Sequence, residues 1–290
     1  MPEEALAELH VHLEGTVRYQ TAVALGAAHG LPPPPEYRYS SLDGFMKVYL
    51  PLKRYVVTGE DFERVVLEHG ETMSRERITY AEVSFNPSLH DGEAWLDGIA
   101  HGRHRVSDEL GVEIAWLVEL MRGAAAGVNE RSLEIALATD GVVGLGLVGD
   151  ESISALPLIP LVERGRKAGL GFMPHAGQSG GPEVVREAVG PMGANRLAHG
   201  VSAASDPALV QVLADRSLCL CVCPSSNARI GLKPDYGALA AAGVPLAVNT
   251  DDPAIVPASL RAELELAVDR YGLSREALIA AGWKHRFAGP

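Results

Sequence analysis

Residues 169–178 read GLGFMPHAGQ, a short run of apolar residues and glycines that ends in a histidine. Parallel strands buried on both faces have such near-continuous apolar sequences. Similar runs recur along the chain, separated by amphipathic helical segments such as 61–75, 181–189 and 206–216. We predict strands at residues 8–13, 79–85, 112–118, 141–147, 169–175, 196–200, 217–223 and 245–250. Eight strands that alternate with helices are typical of an α/β fold closed into a (β/α)8 TIM barrel.

Residues 31–60 interrupt this alternation between the first and second predicted strands. They begin with the proline-rich sequence LPPPPEYRYSS and then turn helical. We interpret them as an excursion that forms a lid over the mouth of the barrel, with Phe45, Tyr49 and Leu50 as apolar candidates to face a ligand. The whole chain, residues 1–290, is then expected to form a single barrel domain.

Composition and charge limit the partners of the chain. Its 290 residues are 47% hydrophobic and 21% charged, and the net charge is -12. A negative chain does not displace counterions from nucleic acid or gain from an anionic membrane surface, so we expect neither as a partner. No stretch approaches about 18 uninterrupted apolar residues, and the acidic N-terminus lacks the features of a signal peptide, so we expect a cytoplasmic protein. The sequence does not predict an oligomeric state.

The three cysteines, Cys219, Cys221 and Cys223, alternate along one predicted strand, so their side chains share a face. This spacing suits neither a disulfide nor the ligands of a tetrahedral ion. We predict free cysteines that pack as small hydrophobic residues.

The polar residues that disturb the predicted strands lie at the C-terminal ends, the face where (β/α)8 barrels form their active sites. His10 and His12 alternate on the first strand and so point the same way. His175 ends the fifth strand, His199 ends the sixth, and Asp251 follows the eighth. Each residue alone is typical of a structural histidine or a turn. Together they favour a metal site, because three histidines and a carboxylate suit Zn²⁺ with one position left for water.

Six motifs together resemble the adenosine and adenine deaminase family of the amidohydrolase superfamily. They are ELHVHLEGTVR (8–18), GLVGDE (146–151), HAGQ (175–178), RLAHG (196–200), CPSSN (223–227) and NTDDP (249–253). The resemblance implies a metal-dependent hydrolase with one zinc ion per chain. Such an enzyme uses a zinc-activated water to remove the exocyclic amine of a 6-aminopurine base or nucleoside, which would be the small-molecule partner.

Carried over residue by residue, the resemblance implies a ligand set and a base. His199 would accept the proton of the attacking water. The zinc ligands would be His10, His12, His175 and Asp251.

The resemblance also implies the contacts of the substrate. Asp252 would bond to the five-membered ring of the purine, and the backbone of Gly149 to the six-membered ring. Glu14 and the ligand His12 would lie against the substrate. Adenosine deaminases commonly have aspartate at the position of Glu14, so glutamate favours the adenine and aminodeoxyfutalosine deaminase branches, although it could also only hold its loop.

One position departs from the family pattern. The HAG motif is normally followed by a glutamate that protonates a ring nitrogen, and here the residue is Gln178. An amide can bond to a ring nitrogen but has no proton to transfer near neutral pH. Acid–base catalysis typically contributes about 10²–10⁴ in rate, so we expect a slowed deaminase. Of the nearby carboxylates, Glu183 lies in the next helix and Glu151 is expected to fix a loop.

Four accounts of Gln178 stay open. It could be an engineered Glu→Gln change, or a natural residue in an enzyme whose substrate or a water supplies the proton. The protein could instead bind zinc and a purine-like ligand while catalysing a different reaction or none, or the metal could be only structural. The acidic chain weighs against a phosphorylated substrate, although Arg18, Lys47 and Lys53 could contact one.

Overall fold

The computed structural model describes residues 4–287, and its centre is a sheet of eight parallel strands in sequence order. The strands are β1 Leu6–His12, β2 Ile78–Phe85, β3 Glu113–Met121, β4 Val142–Val148, β5 Gly171–Ala176, β6 Arg196–His199, β7 Cys219–Val222 and β8 Leu246–Val248. Each predicted strand overlaps one of these, and the predicted (β/α)8 barrel is confirmed. Strand β3 runs three residues beyond its predicted end, which matters for the site.

The sheet closes at the carboxyl ends of the first and last strands. The backbone N–H of His12 donates to the carbonyl of Asp251 at 2.8 Å, and the N–H of Asp251 donates to the carbonyl of His10 at 3.2 Å. Asp251 lies directly after β8 and forms an isolated parallel bridge with Val11. The closing contact therefore joins backbone segments that carry three of the predicted metal ligands.

Helices surround the sheet. They are α1 Tyr19–Ala28, α2 Leu42–Tyr49, α3 Gly59–Glu76, α4 Ala94–Leu110, α5 Val128–Ala138, α6 Ile159–Lys167, α7 Pro182–Val189, α8 Pro207–Asp215, α9 Pro224–Arg229, α10 Tyr236–Ala241, α11 Leu260–Tyr271 and α12 Arg275–Lys284. Helix α3 begins with a capping box between Thr58 and Asp61. The four helices α6 to α9 have proline in their first turn, where a helix needs no N–H donor. In the described part of the chain, no helix combines the length and apolar character needed to cross a membrane.

The barrel interior is filled towards the N-terminal ends of its strands. Arg196 on β6 pairs with Glu82 on β2, and both side chains are fully buried. Glu82 also accepts from the hydroxyl of Tyr80 at 3.1 Å, and the ring of Phe287 lies 4.1 Å from the Arg196 guanidinium. Contacts of this kind help to offset the cost of removing the two charges from water. The open end of the barrel is the opposite one, where the predicted site residues lie.

The segment between β1 and β2 covers that open end. Helix α2 begins after Ser41, whose hydroxyl accepts from the N–H of Gly44 at 3.1 Å. A 3-10 turn, Leu50–Arg54, then leads to α3. The apolar candidates Phe45, Tyr49 and Leu50 all line the cavity below this segment.

Candidate active site

The carboxyl ends of the strands surround a cavity of about 770 Å³. Seven of the predicted site residues line it: His12, Gly149, His175, Gln178, His199, Asp251 and Asp252. His10 lies beneath them, 1% exposed, and its ring packs against those of His12, His175 and His199. Strand-end positions far apart in sequence therefore meet in one place, as the barrel geometry requires.

Four donor atoms converge at the floor of this cavity. Nε2 of His175 lies 3.2 Å from Nε2 of His10 and 3.2 Å from Nε2 of His12. Oδ1 of Asp251 lies 3.3 Å from the same two atoms. In a zinc tetrahedron with bonds of about 2.0–2.1 Å, ligand atoms are about 3.3 Å apart. Four of the six edges of this set thus have the spacing that a tetrahedral ion requires.

His199 offers a second way to complete the cluster. The ligand atoms of His10, His175, His199 and Asp251 lie within 4.8 Å of one another. Nε2 of His199, however, is 3.8 Å from Oδ2 of Asp251, whereas Nε2 of His10 and Nε2 of His12 each lie 3.3 Å from Oδ1. The shorter distances favour His12 over His199 as the third imidazole of a four-ligand set.

The outer nitrogens of the three imidazoles fix their tautomers. Nδ1 of His10 lies 3.2 Å from the carbonyl of Cys221, and Nδ1 of His175 lies 3.1 Å from the carbonyl of Leu147. Carbonyls only accept, so these nitrogens carry the proton and each Nε2 directs its lone pair into the cluster. Burial, followed by the charges of His10 and His12, lowers the pKa of His175 well below its usual range. A neutral His175 is the form that binds a metal ion.

His12 has a charged partner that the sequence analysis missed. Oε1 of Glu119 lies 2.7 Å from Nδ1 of His12, and the hydroxyl of Ser84 lies 2.8 Å from the same atom. Burial acts against protonation of His12, but the carboxylates of Glu119, Asp251 and Asp252 together outweigh it and raise the pKa of His12 well above its usual range. Metal binding must therefore displace a proton from this imidazole. The signal in the sequence was a carboxylate within the apolar run VEIAWLVELM, just past the predicted end of the third strand.

Two of the site residues have a left-handed backbone. His199 has φ 61° and Asp251 has φ 67°, a conformation that non-glycine residues seldom adopt. Such strain costs on the order of 1–3 kcal/mol and is typical of functional sites. Neither ring nitrogen of His199 has a hydrogen-bond partner among the described residues, and burial lowers its pKa to about 3. His199 is thus a neutral imidazole with a free acceptor on the cavity.

Asp252 is aimed into the same space. Its side chain is 3% exposed, and Oδ1 has no hydrogen-bond partner within residues 4–287. Burial and the adjacent Asp251 raise the pKa of Asp252 well above its usual range. A Cβ at Gly15 would lie 2.0 Å from this oxygen, so glycine at that position makes room for the carboxyl group. A buried, unsatisfied polar atom of this kind indicates a ligand contact.

The loop that carries Gln178 is held from below by Glu151. The Glu151 carboxylate accepts from the backbone N–H groups of Gly177 at 2.9 Å, Gln178 at 3.2 Å and Gly180 at 2.7 Å. Glu151 therefore fixes the loop, as the sequence analysis expected. The side-chain amide of Gln178 faces the cavity and donates to Oδ1 of Asn227 at 3.4 Å.

The two remaining residues predicted to contact the substrate, Gly149 and Glu14, differ in whether they line the cavity. Gly149 lines the cavity with φ 104°, and a Cβ there would meet the backbone of Arg122 at 3.2 Å. Glu14 does not line the cavity. Its carboxylate accepts from the N–H of Asn86 at 3.0 Å and lies 3.0 Å from Nε2 of His90, so these contacts hold the loop after β1.

Comparison with known proteins identifies the family. The sequence model named adenosine deaminase matches residues 5–282. The chain is 34% identical to an aminodeoxyfutalosine deaminase of Acidothermus cellulolyticus, over 95% of this chain and 85% of that protein. It is 30% identical to an adenine deaminase of Rhodospirillum rubrum, over 85% of this chain and 80% of that protein.

Solved structures share the fold. The structure of an adenine deaminase from Arthrobacter aurescens superposes with a TM-score of 0.90 at 24% identity, covering 99% of this chain and 95% of that one. Arabidopsis ADAL in complex with IMP gives a TM-score of 0.86 at 20% identity, covering 98% of this chain and 92% of that one. The family match extends over almost the whole sequence and includes the strand ends that form the site. The chain therefore belongs to the adenosine deaminase family of the amidohydrolase superfamily, whose members are hydrolytic aminohydrolases.

Proposed function

We propose that this protein is a zinc-dependent deaminase of a 6-aminopurine base or nucleoside, with one zinc ion per chain. The observation that carries the proposal is the set of four donor atoms of His10, His12, His175 and Asp251, four of whose six separations are 3.2–3.3 Å. These four residues would hold Zn²⁺, which would supply an acidified water molecule as the nucleophile.

The other side chains have positions that suit the remaining tasks. His199 is neutral and has unpaired ring nitrogens, so it can accept a proton next to the donor set. The free oxygen of Asp252 can bond to the five-membered ring of a purine, and the backbone at Gly149 can bond to the six-membered ring. His12 lines the cavity as well as the metal cluster, which supports a second role for it against the substrate. Glu14 does not line the cavity and can act on a substrate only indirectly, through Tyr49, which does. The hydroxyl of Tyr49 lies 3.5 Å from Oε2 of Glu14.

Gln178 determines how fast deamination is expected to be, because it stands where a proton donor would act. Its amide can donate to a ring nitrogen, which supports binding of the substrate, but it transfers no proton. Of the other cavity carboxylates, Glu151 is committed to three backbone N–H groups and Glu183 accepts from the N–H of Gly181 at 3.1 Å. Deamination by this chain is therefore expected to be slow, because neither of these two carboxylates is placed to take over the role of the acid.

The test combines metal analysis with an ammonia assay. Protein purified without chelator is expected to contain about one zinc per chain and to release ammonia from an adenine or adenosine panel, with removal of the zinc abolishing release. Full zinc content without ammonia release, even from Gln178→Glu protein, would contradict the deaminase assignment. Absence of zinc after such a preparation would contradict the metal assignment.

A further inference from the structure

A buried arginine joins the carboxyl ends of three neighbouring strands, β3, β4 and β5. Arg122 directly follows β3, its side chain is 1% exposed, and it does not line the cavity. Its backbone N–H donates to the carbonyl of Val148 on β4 at 2.8 Å. Its guanidinium donates to the carbonyl of His175 on β5 at 3.0 Å and to the carbonyl of Ile153 at 3.1 Å. Arg122 therefore reaches a proposed metal ligand through the backbone of that ligand.

The contact with His175 lies just beyond the backbone pairing of β4 with β5. The last paired residues of these two strands are Leu147 and Pro174, and His175 pairs with Ala198 on β6. The Arg122 side chain thus extends the connection of β5 to its neighbours past the last pair with β4. This is the position where the strand carries the imidazole of the donor set.

The same guanidinium also connects the loop after β4 to helix α7. Ile153, whose carbonyl it binds, lies in this loop, and Oε1 of Glu187 on α7 lies 3.6 Å from the guanidinium. Glu187 in turn accepts from the N–H of Ala155 and from the hydroxyl of Ser154, both at 2.7 Å. Arg122 and Glu187 together hold residues 153–155 in place.

Glu151 carries this connection on to the residues that follow His175. It belongs to the same loop as Ile153, and its carboxylate binds three backbone N–H groups of residues 177–180. Burial lowers the pKa of Arg122, but the carboxylates of Glu151 and Glu187 oppose this effect, and a guanidinium keeps its charge in proteins. The segment that carries Gln178 is therefore held at His175 by Arg122 and at residues 177–180 by Glu151.

We propose, on the basis of the proposed function, that Arg122 is a positioning residue of the active site. By holding the backbone of His175 and the loop after β4, it keeps the His175 imidazole in the donor set and keeps Gln178 on the cavity. An arginine suits this task because its planar group has donors in a fixed fork and can bind two carbonyls at once. A lysine has one ammonium group on a flexible stem, and a methionine has no donor.

Zinc affinity of the full chain, measured by competition with a chromophoric chelator, tests the proposal. Arg122→Met is expected to lower the affinity by at least about 10-fold, the smaller end of the usual cost of losing an outer contact of a metal ligand. Arg122→Lys keeps the charge and one donor group, so its loss is expected to be smaller.

Arg103→Met is the matched control. Arg103 has the same kinds of partner, the carbonyl of Ile114 at 2.7 Å and the carboxylate of Asp140 at 2.8 Å, but Ile114 lies at the N-terminal end of β3. This variant is expected to lose thermal stability and to keep native zinc affinity. The absorption spectrum of Co²⁺ bound in place of zinc, which reports coordination geometry, is expected to change in Arg122→Met and not in Arg103→Met.

Hydrogen exchange of the zinc-free proteins tests the positioning without the metal. The amides of residues 177–180 are expected to exchange about tenfold faster in Arg122→Met, since losing one hydrogen bond of ordinary net strength changes an equilibrium by about that factor. In Arg103→Met these amides are expected to exchange at the native rate.

The outcomes separate this inference from the proposed function. Native zinc affinity in folded Arg122→Met protein overturns the inference, and so does an equal loss of affinity in Arg103→Met, which would show general destabilisation. If Arg122→Met does not fold, native affinity and native exchange in Arg122→Lys overturn it. A native chain that binds no zinc contradicts the proposed function, while faster exchange confined to the Arg122 variants still supports the inference.

Discussion

Oε1 of Glu119 lies 2.7 Å from Nδ1 of His12, and this contact distinguishes His12 from the other two imidazoles of the cluster. His10 and His175 place their outer nitrogens against backbone carbonyls. A carboxylate behind a ligand imidazole orients the ring and makes its other nitrogen a stronger donor to a metal ion. The contact also brings a fixed negative charge to the edge of the substrate cavity, which Glu119 lines.

Glu119→Gln is expected to lower zinc affinity by about 10–100-fold, the usual cost of losing an outer partner of a ligand histidine. The amide can still bond to Nδ1, so the ring keeps its place while the charge is lost. Competition with a chromophoric chelator measures the affinity without reference to activity.

Glu113→Gln is the matched control, because it makes the same change at the exposed, opposite end of the same strand. Its zinc affinity is expected to equal that of the native protein. Equal affinities for all three proteins would show that the Glu119 charge does not act on the metal site.

Substitution of His12 and substitution of His199 are expected to have different effects on bound zinc and on catalysis. His12→Asn removes one corner of the donor set and should abolish bound zinc. His199→Asn should leave zinc content near one per chain and lower kcat by about 10²–10⁴, the usual contribution of a general base. Metal analysis and ammonia release on the same preparations give the answer. Loss of zinc from the His199 variant, with zinc retained by the His12 variant, would reverse the two assignments.

Most of the site could be predicted from one rule, namely that the active site of a (β/α)8 barrel lies at the carboxyl ends of its strands. His10, His12, His175, His199 and Asp251 could be placed together because parallel strands of a barrel present their carboxyl ends at one mouth. The five residues do meet there, and all are buried or nearly so. Only the pattern of apolar runs was needed for this step, since it fixes which end of each strand a residue occupies.

The same rule missed Glu119 because the predicted third strand stopped at residue 118. A boundary error of a few residues hides a polar side chain when it lies at the strand end. The rule also could not tell where Glu14 points. Its carboxylate bonds to Asn86 and His90, which follow β2, and such a contact depends on loop packing between distant segments. Which side chains of the lid face the cavity, here Phe45 and Tyr49, likewise depends on tertiary packing that the sequence pattern does not fix.

Gln178→Glu is expected to raise purine deamination by at least about a hundredfold, because it adds a proton donor at the position where the resemblance of the HAGQ motif to the family implies one. The backbone N–H of residue 178 keeps its bond to Glu151, and a protonated carboxyl group can donate to Oδ1 of Asn227 as the amide does, so the new side chain should occupy the place of the amide. Single-turnover measurement of ammonia release separates this chemical step from product release. Asn227→Asp is the control, since it adds a carboxyl group next to Gln178 without restoring the acid. Equal rates for the native and Gln178→Glu proteins would show that residue 178 does not face the ring nitrogen.

His69 on α3 is expected to make the fold sensitive to acid. Burial and the nearby Arg18 lower its pKa from 6.5 to about 4, so the folded chain holds a neutral imidazole where the unfolded chain takes up a proton. Its stabilising effect is complete above about pH 6.5 and is lost as the pH falls towards 4. Between about pH 7.5 and pH 5 this group alone should remove about 2 kcal/mol from the free energy of unfolding. Urea unfolding of His69→Leu should show a pH dependence smaller by that amount, whereas His101→Leu, exposed on α4, should keep the native dependence. An unchanged dependence in His69→Leu would place the acid sensitivity in other groups.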